Sequence, residues 1–197
     1  MAVHPPNPKY IPKPYEKMDH PRQRIQVDVK FVPSAYLKNS QVIGKQFFQY
    51  TAIDEYSRWR FVEAFEEHST YSSAQFADHL VKAFPCTIGC IQTDNGSEFT
   101  NRFTTHREKS TLFQKRLEMH GILHKVIRPF TPRYNGKVER SHRKDNERFY
   151  APHLFYSFED FAKQLKVYNR RDYNNFPMRP LGWTSPHEVL HEYLQSV

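Results

Sequence analysis

The chain has 197 residues, is 38% hydrophobic and 15% aromatic, and carries a formal net charge of +8. Such a composition can pack one domain with appendages and excludes wholesale disorder. No run approaches the roughly 20 apolar residues of a membrane span, and MAVHPPNPKY has no apolar signal-peptide core.

In chain order, residues 1–24 hold six of the fourteen prolines. Pro5, Pro6, Pro8, Pro12 and Pro14 predict an extended arm or linker over residues 1–21. IQVDVKF then alternates. Ile25, Val27, Val29 and Phe31 point one way and Gln26, Asp28 and Lys30 the other, which predicts a strand with one wet face. KQFFQYTAID and RWRFVEAFEE predict two more strands around the turn Asp54-Glu55-Tyr56-Ser57, hence an antiparallel meander. Ser69 opens a helix that stacks Phe76, Leu80 and Phe84 and stops at Pro85. The run Thr87 to Gln92 is a fourth strand, and the helix before it predicts a parallel crossover. A helix from Leu112 to His120 ends at Gly121, a natural C-cap, and ILHKVI is a fifth strand. KVERSHRKDNERFY is a helix nearly polar all round, expected in solvent or against a polar partner. Ser157-x-x-Asp160 and Ser185-Pro186-x-Glu188 are capping boxes for two last helices. Cys86 and Cys90 make neither a disulfide framework nor a zinc site and read as ordinary buried thiols of a reducing compartment.

The charge is unevenly spread. Residues 25–101 carry six Lys/Arg against nine Asp/Glu, whereas residues 102–148 carry thirteen against five. A basic field concentrated in this way attracts phosphate backbones.

Three acids fall at notable places. In IQTDNGSEF a strand runs into Asp94 just before the Asn95-Gly96 turn. An aspartate there serves either the turn itself or a metal held at a strand end. Asp28 lies mid-strand on the polar face, and Glu139 lies in the first turns of the polar helix. A fourth strand crossing over to pair beside the first would set Asp94 next to Asp28, at the strand ends where ligand sites of open α/β sheets lie. The polar helix packed over that edge would add Glu139. Clustered carboxylates repel unless cations neutralise them. Hard divalent cations suit oxygen ligands, Mg2+ above all where phosphates react. Two such ions about 3.5–4 Å apart can activate an attacking oxygen and stabilise a leaving one. Glu139, His142, Arg143 and Asn146 are spaced to share one helix face, an acid for metal beside a base for phosphate.

The motifs IQVDVKF, TAIDEYSRW, QTDNGSEFTNRF and RPFTPRYNGKVERSHR, in that order, resemble the catalytic core of the DDE transposase and retroviral integrase superfamily. They are most similar to bacterial insertion-sequence transposases. NNFPMRPLGWTSPHEVL resembles the segment that ends such cores. The resemblance implies an α/β, ribonuclease-H-like fold: a five-stranded mixed sheet, three antiparallel strands then two parallel, flanked by helices. It implies a catalytic core over residues 22–175 and a C-terminal extension with a short helix over 176–197. Asp28, Asp94 and Glu139 would form the catalytic triad, with Asp28 bridging two Mg2+ ions and Mn2+ as a substitute. Water would cut at transposon ends, and the freed 3′-hydroxyl would transfer the strand. Asn95, Gly96 and Glu98 would shape the Asp94 turn, and Asn135 and Gly136 the entry to the Glu139 helix. Arg143 is the implied phosphate contact, with His142, Lys144, Asn146, Lys137 and Arg133 as further DNA-binding candidates. The implied partners are transposon-end and target DNA and further copies of the chain, as a homodimer or higher multimer, in the cytoplasm of a prokaryotic cell at the nucleoid.

Two features depart from the pattern. Asp94 and Glu139 are 45 positions apart, longer than is common in the superfamily, and the extra residues near Asn101 to Lys115 form a basic excursion that could touch DNA. No helix-turn-helix modules precede the proline arm, so an excised core or a truncated gene product is expected. The alternatives are a non-catalytic DNA-binding or regulatory fragment, and a ribonuclease on RNA–DNA hybrids, against which TDNGSEF and NGKVER speak.

Overall fold

The computed structural model describes residues 16–39, 42–128 and 132–197, without the side chains of residues 132 and 133. The prolines at 5–14 of the expected arm therefore lie outside the described residues. Five strands form one sheet: β1 (Ile25–Phe31), β2 (Phe48–Asp54), β3 (Arg60–Phe65), β4 (Cys90–Thr93) and β5 (Leu123–Val126). Their spatial order is β3-β2-β1-β4-β5. The pairs β1–β2 and β2–β3 are antiparallel, and β1–β4 and β4–β5 are parallel. The meander and the crossover expected from the sequence are both present. The helices are α1 (Thr70–Ala83), α2 (Leu112–Met119), α3 (Gly136–Asp145), α4 (Phe158–Tyr168) and α5 (Pro186–Ser196). No helix among the described residues is long and apolar enough to cross a membrane.

Local chemistry explains the element ends. The Ser69 hydroxyl accepts the Ser72 N–H at the start of α1, and Phe84 leaves the helix in extended backbone just before Pro85. Gly121 follows α2 with φ of +67°, a conformation that costs glycine little. At α5 the capping box is complete, Ser185 and Glu188 each accepting the other's N–H. At α4 only half of the expected box forms. Ser157 Oγ accepts from Asp160 N at 3.1 Å, but the Asp160 carboxylate accepts from Tyr156 N instead. Asp54 is structural, its carboxylate buried and accepting from Arg22 N, Ser57 N and the Ser57 hydroxyl.

Both faces of the sheet are covered. One packs Ile25, Val27, Tyr50 and Ala52 against Phe76 and Leu80 of α1, Phe113 and Leu117 of α2, and Leu190 of α5. On the other side Phe47 and Val62 pack with Phe149, Phe155, Phe161 and Leu165. This corrects the expectation of a wet face on β1, since Gln26 is fully buried. The cover is α3, the helix expected to lie in solvent or against a polar partner. Its inward stripe is Val138, Ser141, His142 and Asp145. Asp145 meets Arg60 of β3 at 2.7 Å, both side chains without solvent exposure. The polar partner is thus the protein's own interior. The helix then loosens into a π-helical turn, Asn146–Tyr150, which turns Phe149 and Tyr150 inward.

Candidate active site

The site is built from the β1–β4 pairing. Ile25 lies beside Ile91 and Gln26 beside Gln92. The same offset, carried two residues on, brings Asp28 level with Asp94. On its other side Asp28 faces Thr51 of β2 across the antiparallel ladder. Gln26 shares the Asp28 face of β1, because side chains alternate along a strand. Its carbonyl oxygen accepts the N–H groups of Lys137 (3.0 Å) and Val138 (3.2 Å), and its amide nitrogen donates to Tyr134 O at 2.8 Å. Gln92 donates to the same carbonyl at 2.7 Å. Asn135, at the helix boundary, makes no side-chain cap. A strand glutamine therefore satisfies two of the orphan donors of α3 and fixes its first turn, which carries Glu139, over the strand that carries Asp28.

Electrostatics records this convergence. The pKa of Asp28 is raised from 3.8 to about 7. Burial is the main cause, followed by repulsion from Asp94, with Glu139 and Glu98 adding to it. Four carboxylates from β1, the β4 exit, its following turn and α3 share one field. Among the described residues, no three His, Cys, Asp or Glu side chains stand within ligating reach of a common point. The Asp94 carboxylate accepts the Gly96 N–H at 3.0 Å, an ordinary Asx turn. Glu98 is buried and paired with His68 Nε2 at 2.8 Å. A β-carbon at Gly96 would run into the Glu98 carboxylate, so glycine there makes room for it. Asn95 ties the turn to the end of β5 by donating to Ile127 O at 2.9 Å. Asn135 is buried, with its amide nitrogen 3.4 Å from Val27 O. Gly136 has open space around it and no positive φ, so nothing there demands glycine.

The candidate DNA contacts divide. Arg143 and Asn146 are exposed and Lys144 is half-buried. Glu139, Arg140, Arg143, Lys144 and Glu147 line a groove of about 470 Å3. Burial lowers the Lys144 pKa, and crowding by Arg148, Arg140 and Arg60 adds to this. Two candidates are placed otherwise. Lys137 points inward, its ammonium 2.9 Å from the buried carboxylate of Glu55. His142 is 9% exposed, with Nε2 3.0 Å from Thr51 Oγ1 and Nδ1 3.5 Å from Asp28 Oδ2. It faces the acids and not the solvent. The Arg133 side chain lies outside what is described. Gln26, Thr51 and Arg140 were not singled out from the sequence. Gln26 alone carried a local signal, two residues before Asp28 on the same strand face.

Two models of the integrase core domain match the chain, one over residues 18–132 and the other over 120–186. The chain belongs to the integrase core domain family. This integrase core is 31% identical over 133 residues to ORF3 of Spiroplasma virus SpV1-C74, a protein named as an integrase. That match covers 64% of the chain and 35% of the relative, so the chain spans about a third of that relative's length. In three dimensions it is similar to a chain of the simian T-cell lymphotropic virus intasome in complex with PP2A regulatory subunit B56 gamma, with a TM-score of 0.63 at 15% identity, covering 94% of this chain and 60% of that one. It is also similar to the HTLV-2 integrase catalytic core domain in complex with magnesium (TM-score 0.57, 15% identity, 88% and 99% covered). The BIV integrase catalytic core matches at TM-score 0.55 and 20% identity, covering 89% and 95%. At such identities these likenesses carry the fold alone, the ribonuclease-H-like sheet of integrase catalytic cores. Family and fold agree: the chain is an integrase core domain with the ribonuclease-H-like sheet.

Proposed function

We propose that this integrase core is a polynucleotidyl transferase that cuts a phosphodiester at a transposon end and joins the freed strand to target DNA. The observation that carries the proposal is the Asp28 carboxyl, pushed up to about 7 by burial and by repulsion from Asp94, Glu139 and Glu98. A half-buried Asp28 carboxylate in the field of three other acids is costly without a counter-charge. The donor set is all carboxylate oxygen, which fits a hard divalent cation and not a soft one. Asp28, Asp94 and Glu139 would hold two Mg2+ ions, with Mn2+ as substitute. Bound there, the ions would activate an attacking oxygen and stabilise a leaving one. Magnesium in the HTLV-2 core structure supports that choice.

The chain's own groups do the positioning. Arg140, Arg143 and Lys144 hold DNA phosphates beside Glu139. In the cutting step the water oxygen bonds phosphorus, the bond from phosphorus to the 3′ oxygen breaks, and that oxygen leaves as a hydroxyl. In the joining step the hydroxyl attacks a target phosphodiester and displaces another 3′ oxygen, so one bond forms for each that breaks. The core over residues 22–175, a multimer of this chain and a prokaryotic cytoplasmic setting belong to the same proposal.

The test is nicking and strand joining on a labelled duplex, with Mg2+ or Mn2+, for wild type and Glu139→Gln. Product from the wild type that falls to background in the variant is the expected result. Equal cutting by both proteins would refute the assignment. DNA binding without cutting by either, with both metals, would make the chain a regulatory DNA-binding fragment. Arg143→Ala should weaken duplex binding and reduce the slope of log K against log salt by about 0.9. Fluorescence anisotropy across a KCl series measures it, and an unchanged slope would remove Arg143 from the phosphate contacts.

A further inference from the structure

We infer that His142 is a positioning residue for Asp28, held in one tautomer by a buried hydrogen-bond relay that starts at Arg60 and passes through Asp145, Gln49 and Thr51. This rests on the proposed function only for its catalytic consequence; the tautomer itself follows from the relay.

The direction of each link is fixed by what its groups can do. Arg60 only donates and ionised Asp145 only accepts. The guanidinium meets the carboxylate at 2.7 and 2.9 Å. The end of Gln49 that meets Asp145 Oδ2, at 2.8 Å, must then be its NH2 group. Its oxygen consistently accepts from the Tyr150 hydroxyl at 2.6 Å. The same NH2 group donates to Thr51 Oγ1 at 3.1 Å. Thr51 therefore accepts from Gln49, and although its oxygen has a second lone pair, its buried proton has no acceptor among these partners other than His142. Its partner for that proton is His142 Nε2, at 3.0 Å. An imidazole that accepts at Nε2 carries its single proton on Nδ1. Nδ1 is the atom 3.5 Å from Asp28 Oδ2.

A ring that accepts at Nε2 is neutral and has its one N–H on the Asp28 side. At 3.5 Å Nδ1 meets the carboxylate without a hydrogen bond, so its hold on Asp28 is electrostatic. Gln49, Thr51, His142 and Asp145 are all buried, so water does not compete for these links. The sheet makes the relay compact, because Asp28 lies directly across from Thr51, and Lys30 from Gln49. Groups that orient a ligating carboxylate typically change metal affinity or activity 10–100-fold when removed.

Two measurements test this. A long-range 1H–15N correlation spectrum of the imidazoles at pH 7 reports the tautomer whether or not the protein cuts DNA. A His142 ring protonated on Nδ1 in the wild type, and a mixture or the other tautomer in Thr51→Val but not in Thr51→Ser, is the expected result. A wild-type ring protonated on Nε2 would overturn the relay outright. The second measurement pairs His142→Asn, whose amide can donate near the position of Nδ1, with His142→Gln, whose amide reaches only the position of Nε2. Mn2+ affinity by calorimetry and the nicking rate should fall 10–100-fold for His142→Gln and less than about 5-fold for His142→Asn. Equal losses in both, tracking their urea stability, would reduce His142 to packing. A wild type that neither cuts nor binds Mn2+, yet shows the expected tautomer, would refute the proposed function and leave the relay standing.

Discussion

Asp28→Asn is expected to abolish cutting and, without divalent cations, to make the protein more stable at pH 8. The two effects have one cause. Asp28 has its carboxyl raised from 3.8 to about 7 by burial and by the charges of Asp94, Glu139 and Glu98. A raised carboxyl binds its proton more tightly in the folded state than in the unfolded chain. Between about pH 4 and 7 the native protein therefore holds more protons, and stability falls as pH rises through that window. Above pH 7 the full cost is present, on the order of 4 kcal/mol from a shift of about three units at 1.36 kcal/mol each. Asparagine keeps the shape and carries no charge, so the variant escapes that cost. Urea denaturation with EDTA at pH 5 and pH 8 measures it. The wild type should lose stability between the two, and the variant should lose less. Mn2+ should restore the wild type at pH 8 and leave the variant unmoved, since a ligand that binds only the folded state stabilises it. A variant less stable than wild type at pH 8 without metal would mean that Asp28 is held by favourable partners, and would undercut the site.

What was legible in the sequence follows from how local its causes are. Alternation located β1 and put Asp28 on its polar face, and the Asn-Gly turn located the end of β4 at Asp94. The crossover between β3 and β4 predicted the pairing of β4 with β1. The azimuth of α3 was not legible. Spacing alone grouped Glu139, His142, Arg143 and Asn146, but the structure exposes Glu139, Arg143 and Asn146 and buries His142. The inward stripe is Val138, Ser141, His142 and Asp145, keyed on Val138, the lone apolar residue of the first turns. The polarity of that stripe hid it, because buried polar groups are recognisable only through partners far along the chain. Gln26 and Lys137 are 111 positions apart, and Arg60 and Asp145 are 85 apart. No periodicity joins them.

Asp145→Ala should cost 3–5 kcal/mol, the usual penalty for stranding one member of a buried ion pair. Arg60 is enclosed to an unusual degree. Its Nε donates to Asn169 Oδ1 at 2.8 Å, its backbone N–H donates to Asn174, and its guanidinium lies 3.6 Å from the centre of the Tyr173 ring. These partners belong to the second π-helical turn, Asn169–Tyr173, and the residue after it. Without Asp145 the cation stays in a site that gives it no counter-charge, and Gln49 loses the acceptor that fixes its amide. Replacing both partners, as Arg60→Met with Asp145→Leu, removes the stranded charge and should recover most of the stability. It should not recover the nicking rate, because Gln49 is then free to flip and Thr51 no longer has a fixed donor. Urea midpoints and nicking rates for the single and double variants separate the two roles. A double variant that regains both would make the buried pair a matter of packing alone. One that regains stability and stays slow would tie the polar interior of α3 to the orientation of Asp28, 117 positions before Asp145 in the chain.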